Sequence, residues 1–381
     1  MSKIGIFGGT FNPPHSGHLH LARLVKEKLG VEKIIIIPAN VPPHKIPGSL
    51  TDGNYRLEMC RRTFTDDYFE FSTAELDRGD KSYTIDTLNF LKEKYPEDEF
   101  YLIIGSDMLE SFTKWYRWAD ILSTAVIVSA SRETDFKADL SVYTDEQRKR
   151  IIFLEADPVV ISSSELRATV RSGKDTEKFL TQGVKNFIES NRLYDDGLSE
   201  YRKLLRELLD DYRLFHSECV CESAGILAEK YGADIQKARL AGLLHDITKQ
   251  FGEQEHRRLI GEMSIVENSN HKVWHQMSAP AYLKEKGIVT DEEILSAIRW
   301  HTTGKSGMGL LEKIVYTADF ISADRKYPDV EYVRKLANIS LEKAMLYTSR
   351  YTIQTLAEKN ITIHPATVDC YNDMVLTLGK A

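Results

Sequence analysis

Lys3-Ile4-Gly5-Ile6-Phe7-Gly8-Gly9-Thr10-Phe11-Asn12-Pro13-Pro14-His15-Ser16-Gly17-His18 joins a short apolar run, a glycine pair and a turn that carries two histidines. Beyond it Leu19, Leu21, Ala22, Val25 and Leu29 recur at helical spacing, and Gly30 stands where a C-terminal cap belongs. A second apolar run at residues 33–37 completes a βαβ unit, and runs at 100–104, 125–129 and 151–155 extend the series. Strands alternating with amphipathic helices predict an α/β doubly wound parallel sheet. Ligands in such sheets bind outside the carboxyl ends of the strands. That rule directs attention to Gly8-Gly9-Thr10, Pro38-Ala39-Asn40 and Gly105-Ser106-Asp107.

Strand character stops at Tyr194-Asp195-Asp196-Gly197, a short polar break. From there helical periodicity runs onward, beginning with Leu204, Leu205, Leu208 and Leu209 and continuing at 224–231, 238–248, 292–300, 311–321 and 341–358. Two domains are expected, at 1–195 and 199–381, the second all-α; 381 residues exceed what one core usually organises. A net charge of -7 without a dense basic block argues against a nucleic-acid partner. No apolar run has the length of a membrane span, and Cys60, Cys219, Cys221 and Cys370 are scattered as reduced thiols would be. The expected location is cytoplasmic, and assembly into a homo-oligomer stays open.

The glycine pair lets backbone amides approach a phosphate with no Cβ in the way. His15 and His18, three apart at a helix start, can face one anion beside the positive end of the helix dipole. Neither common phosphate loop is present: GxGxxG and GxxxxGK[ST] are absent, and Pro38 occupies the place of a dinucleotide fold's ribose-binding acid. After the last strand, Ile161-Ser162-Ser163-Ser164-Glu165-Leu166-Arg167 supplies a hydroxyl-rich helix cap with an arginine one turn in, suited to a polyphosphate.

The HxGH stretch at 15–18 and the ISSSELR stretch at 161–167 resemble the two motifs of the nucleotidyltransferase superfamily. Within it the chain is similar to bacterial nicotinate-nucleotide adenylyltransferases, an impression supported by Pro43-His44-Lys45, Tyr83 to Leu88 and Trp115-Tyr116-Arg117-Trp118. Ser164 stands where that family often has threonine, which keeps the hydroxyl. The resemblance implies that nicotinate mononucleotide attacks the α-phosphate of ATP and that pyrophosphate leaves with Mg²⁺. It implies catalysis by His15, His18 and Arg167, with Gly8, Gly9, Thr10, Phe11, Ser163 and Ser164 around the nucleotide phosphates. Asn40, Lys45, Thr84, Asp107 and Trp115 would hold the pyridine nucleotide, and Trp118 is expected to pack in the core. Phosphopantetheine or nicotinamide mononucleotide are the alternative acceptors.

Six of the eleven histidines fall between residues 216 and 301. His216, His245, Asp246, His275, His301 and Asp319 form an ordered series on predicted helices. An apolar run ending in His245-Asp246 buries two polar side chains at a cost that metal binding would offset. His256, expected at the surface in a charged stretch, is set aside with His271 and His364, and His271 is the competitor of His275. The series resembles the HD-domain metal phosphohydrolases, in the branch of symmetrical diadenosine tetraphosphate hydrolases. That resemblance implies a dinuclear centre, expected to be iron, bridged by Asp246, and a dinucleoside polyphosphate substrate met by Lys249 and Arg325. A regulatory, nucleotide-sensing HD domain is the alternative. Because both halves would handle adenosine joined through phosphates, the second is expected to clear adenylylated by-products of the first.

Overall fold

The computed structural model describes residues 1–40, 50–78, 83–130, 140–155 and 161–379, apart from the side chain of Asp107. It divides into two compact units: Met1–Leu166 with Asp175–Tyr194, and Arg167–Lys174 with Asp195–Ala381.

The first unit is built on strands β1 (Lys3–Gly9), β2 (Lys33–Pro38), β3 (Phe69–Phe71), β4 (Glu99–Gly105), β5 (Ala125–Ala130) and β6 (Ile151–Leu154). All neighbours are parallel, in the order β3-β2-β1-β4-β5-β6. The order reverses between β1 and β4, which is the switch point of a doubly wound sheet. Ile34, Ile35, Ile36 and Ile37 are all buried because a parallel sheet is covered on both faces. Separate apolar clusters form on the two faces, one around Ile35, Ile37, Leu88 and Leu102, the other around Ile34, Ile36, Ala22 and Val25. The helix predicted after β1 spans Ser16–Leu29 and closes at Gly30. β3 was not expected; it is three residues long and pairs only with β2 among the described residues.

The second unit consists of helices and their connections, with no strand among its described residues. Its central contact sets the helix Asp211–Tyr231 against Ile235–Leu244. Gly242 permits the approach, since a Cβ there would lie 3.1 Å from the Cα of Cys221 and from the carbonyl oxygen of Val220. One apolar cluster joins these helices to Glu292–Arg299 and Leu310–Ile321 through Ala224, Ala241, Leu244, Ile298, Ile314 and Ala318. All four cysteines are free and buried, and no described helix is long and apolar enough to cross a membrane.

A buried ion cluster joins helices of the second unit. Arg202 bonds Asp196 at 2.5 Å and Glu218 at 2.6 Å, while Arg171 meets Glu222 at 2.5 Å and Glu218 at 3.4 Å. Burial pushes the Glu222 carboxyl up, but Arg167 and Arg171 outweigh it and hold it well below the usual carboxylate range. Asp196 is lowered as well, burial being outweighed by Arg202. Carboxyls depressed in the folded state contribute stability above their unfolded values of about 4, and that stability is lost as pH falls. Melting temperature is therefore expected to drop steeply below pH ~4. Glu222→Ala, which leaves buried guanidinium charge unpaired, should cost about 3–5 kcal/mol at neutral pH and blunt that acid sensitivity. Denaturant melts of both proteins across pH 3–7 check this.

Candidate functional site

In the first unit the residues gather at the switch point. β1 ends at Gly9, where a Cβ would come within 3.1 Å of the Phe11 ring, whereas one on Gly8 would meet nothing within 4 Å. A side chain at Gly9 would thus crowd the Phe11 ring, and Gly8 presents its backbone to open space. His15 caps the helix Ser16–Leu29 and is 1% exposed. The rings of His15 and His18 lie 3.8 Å apart, with Phe11 at 5.1 Å from the His18 ring. The backbone N–H of His15 donates to Nδ1 of His18 at 3.2 Å. An accepting Nδ1 carries no proton, so a neutral His18 holds its proton on Nε2 as a donor.

The second motif arrives at the same loop. Ser162 caps the helix Ser163–Ser172 by accepting from the Glu165 backbone, and the Ser163 hydroxyl donates to the carbonyl of Pro13 at 3.2 Å. Ser164 follows on the first turn. Arg167 clusters with the second unit, where its Nε donates to Glu222 at 2.9 Å.

Arg56 escaped the sequence reading. It is 1% exposed and donates to the carbonyls of Thr51 and Thr10, both at 2.8 Å, and of Asn40 at 3.2 Å. One guanidinium thereby ties Thr10, just after β1, to Asn40, just after β2. Burial lowers its pKa, with no carboxylate bonded to it among the described residues. A mid-helix arginine in Gly53–Thr63 gives no sequence signal of such a role.

Thr84 begins the helix Thr84–Lys94 after Tyr83, whose ring lies 4.7 Å from that of Tyr116. Trp115 is half-buried against Phe112 at 5.4 Å; Trp118 packs edge-on to Phe112 and Tyr143 at 6.3 and 5.9 Å. Lys45 and the side chain of Asp107 lie outside the described residues.

The second unit brings all six members of the histidine–aspartate series together. His216 comes from Asp211–Tyr231, His245-Asp246 from the end of Ile235–Leu244, and His275 from Trp274–Glu285. His301 follows Glu292–Arg299, and Asp319 belongs to Leu310–Ile321. Nε2 of His216 is 3.1 Å from Asp319, Nε2 of His245 is 3.6 Å from Asp246, and Nε2 of His275 is 3.2 Å from Asp246. His301 lies 3.7 Å from Asp246 and 3.0 Å from His275, nitrogen to nitrogen. Three overlapping triads have donor atoms within 4.8 Å of one another: His216, His245, Asp246; His245, His301, Asp319; and Asp246, His275, His301. His271 instead stacks on Trp274 at 4.1 Å, and His256, expected on a charged surface, is 7% exposed and bonded to Ser278 at 2.8 Å.

These residues fit a metal. The Nδ1 atoms of His245 and His301 face the carbonyls of Gly242 and Ile298 at 2.8 and 2.6 Å, which leaves Nε2 as the free donor. His245 Nε2 is buried without a hydrogen bond, a costly state that a cation relieves. Burial lowers the His245 pKa to about 4, so the ring is neutral and able to ligate at neutral pH. Burial also lowers His216, but its bonds to Asp319 and Asp324 outweigh it and push the pKa up to about 9. Three cations surround the carboxylates: Arg213 and Lys249 lie 3.1 and 3.3 Å from Asp246, and Arg325 pairs with Asp319. Arg213 and Asp324 were not singled out as site residues from sequence.

Residues 6–169 match the family model described as cytidylyltransferase-like, and residues 213–324 match the HD domain. The nicotinate-nucleotide adenylyltransferase of Bacillus subtilis is 35% identical over 196 residues, 51% of this chain and 100% of that protein. The chain belongs to the nicotinate-nucleotide adenylyltransferase family. A family member from Bacillus pumilus, named as a probable enzyme of this kind, is 34% identical over the same length, again 51% of this chain and 100% of its own. Among solved structures, a predicted HD superfamily hydrolase involved in NAD metabolism from Clostridium acetobutylicum is 33% identical, covering 46% of this chain and 97% of its own, with a TM-score of 0.45. Family membership thus attaches to the half that carries the HxGH loop, and a helical HD domain follows it.

Proposed function

We propose that residues 1–195 transfer the adenylyl group of ATP to nicotinate mononucleotide, giving deamido-NAD and pyrophosphate. The observation that carries this reading is the meeting of both motifs on one loop: paired imidazoles 3.8 Å apart and Ser163 bonded to Pro13. The pyridine nucleotide's 5′-phosphate oxygen forms a bond to the α-phosphorus while the bond to the β-phosphate bridge breaks. No covalent enzyme intermediate is required, so positioning and charge stabilisation carry catalysis. His18, donating from Nε2, meets the charge that develops at the α-phosphate; His15 orients it. Gly8, Gly9, Thr10 and Phe11 lie along the phosphates, and Ser163 and Ser164 hold the departing pyrophosphate; Arg167, bonded to Glu222 in the structure, joins them only by exchanging that carboxylate for phosphate. Mg²⁺ enters with ATP as part of the substrate. Asn40, Lys45, Thr84, Asp107 and Trp115 are assigned to the acceptor, with Arg56 fixing the loop that bears Asn40.

Residues 199–381 are assigned a metal-dependent phosphohydrolase activity on a dinucleoside polyphosphate such as diadenosine tetraphosphate. His216, His245, Asp246 and Asp319 would hold one cation and Asp246, His275 and His301 the other, with iron the expected element. Bound cations supply Lewis-acid stabilisation of phosphoryl oxygens. Lys249 and Arg325, joined by Arg213, neutralise the chain of substrate phosphates.

A pyrophosphate-release assay with ATP and each acceptor in turn tests the first assignment. Nicotinate mononucleotide is expected to exceed nicotinamide mononucleotide by at least about tenfold in kcat/KM, with phosphopantetheine inactive. Equal rates, or preference for phosphopantetheine, would overturn the acceptor. Two ADP released per diadenosine tetraphosphate, dependent on added metal, is the expected result for the second; metal binding without turnover would favour the sensing role.

A further inference from the structure

The ligand histidines of the second unit are not supported alike. His245 and His301 turn Nδ1 to backbone carbonyls. His216 turns its Nδ1 to a carboxylate, Asp324, at 2.8 Å. The Asp324 side chain is 5% exposed, and its other oxygen accepts from the Ser322 hydroxyl at 2.7 Å, so two bonds fix its orientation. His216 also has a cation nearby, the Arg325 guanidinium 3.5 Å from its Nε2, but that arginine is paired with Asp319, and at His275 the cation stands closer. The Lys249 ammonium lies 2.9 Å from its Nε2 and 3.3 Å from its Nδ1, and the Thr302 hydroxyl is 3.1 Å from its Nε2.

We propose that Asp324 is the positioning residue of the centre: it holds Nδ1–H of His216 in place, aims Nε2 at the cation, and makes the His216 half the tighter of two unequal metal positions. A carboxylate behind an imidazole raises the basicity of the ligating nitrogen and locks its tautomer. An ammonium beside an imidazole does the reverse, repelling an arriving cation and having to move before it binds. The two halves share Asp246, and the His216 half has Asp319 in addition, so it is the Asp324 variants, which leave both carboxylate ligands in place, that isolate what stands behind the histidine. This inference rests on reading the six residues as a metal centre.

Mn²⁺ titration of the full chain, followed calorimetrically and by the EPR signal of free Mn²⁺, tests it. Wild type is expected to bind two equivalents of unequal affinity. Asp324→Ala should weaken the tighter equivalent about 10–100-fold and leave the other within about threefold. Asp324→Asn, whose amide oxygen still accepts from Nδ1–H, should recover part of the loss. Lys249→Met should tighten the weaker equivalent. Ser322→Ala keeps every charge while releasing Asp324, and decides the matter if Asp324→Ala fails to fold; a selective loss in the tighter equivalent is expected. Equal wild-type affinities, or unchanged tight binding in Asp324→Ala or in a folded Ser322→Ala, would overturn the proposal. Absence of Mn²⁺ binding by wild type would instead overturn the metal-centre reading on which it rests.

Discussion

His18→Ala is expected to lower kcat for adenylyl transfer by about 10²–10³-fold, the usual loss when a preorganised donor to transition-state charge is removed. The structure gives the reason for a kcat effect. The His15 backbone N–H occupies Nδ1 of His18, so the neutral ring has one donating nitrogen left, and the neighbouring His15 ring holds it from one side. Because the His18 ring is only half-buried, stability should change little, and the KM for ATP should move less than kcat. His15→Ala is a different experiment. That residue is buried at the helix cap, so activity and melting temperature should fall together. Pyrophosphate release and thermal melts on both variants separate the roles; an active His18→Ala would remove the catalytic assignment.

The double variant His245→Ala/Asp246→Ala is expected to lose bound metal and to hydrolyse diadenosine tetraphosphate at below about one-thousandth of the wild-type rate. These residues recur through all three triads, so no pair of cations could remain. Adenylyl transfer should persist, since neither residue belongs to the unit that carries the HxGH loop. Metal analysis of the purified variant, beside both activity assays, checks the outcome. Incubation with ATP alone extends it: a dinucleoside polyphosphate that accumulates in the variant and not in wild type would support clearance of by-products, and none in either would end that idea.

Much of the first unit was legible because its strands are nearly continuous β-branched runs flanked by glycine and proline, as at Ile34 to Ile37. β3 was missed because Phe69-Glu70-Phe71 is too short to set up a period. The helix Asp211–Tyr231 begins well before the apolar repeat recognised at 224, because His216, Glu218 and Glu222 interrupt that repeat with polar groups that are nonetheless buried. Their burial is explained by partners elsewhere: Asp319 and Asp324 for His216, and the arginines 167, 171 and 202 for the glutamates. Tertiary partners of that kind leave no local pattern. The same limit hid Arg56, which reaches carbonyls 46 and 16 residues away, and Asp324, which is 108 residues from His216. The histidine series was legible because imidazoles next to carboxylates on apolar helices are rarely left without compensation.

Fate of label from ATP tests most directly whether the paired imidazoles serve adenylyl transfer. Supplied with nicotinate mononucleotide and Mg²⁺, the chain should move α-³²P from ATP into a dinucleotide and γ-³²P into pyrophosphate, in equal amounts. Recovery of α-label in ADP by the His245→Ala/Asp246→Ala variant, whose second unit should release none, or of γ-label in inorganic phosphate before any pyrophosphatase is added, would mean that a different bond is broken and would contradict the account.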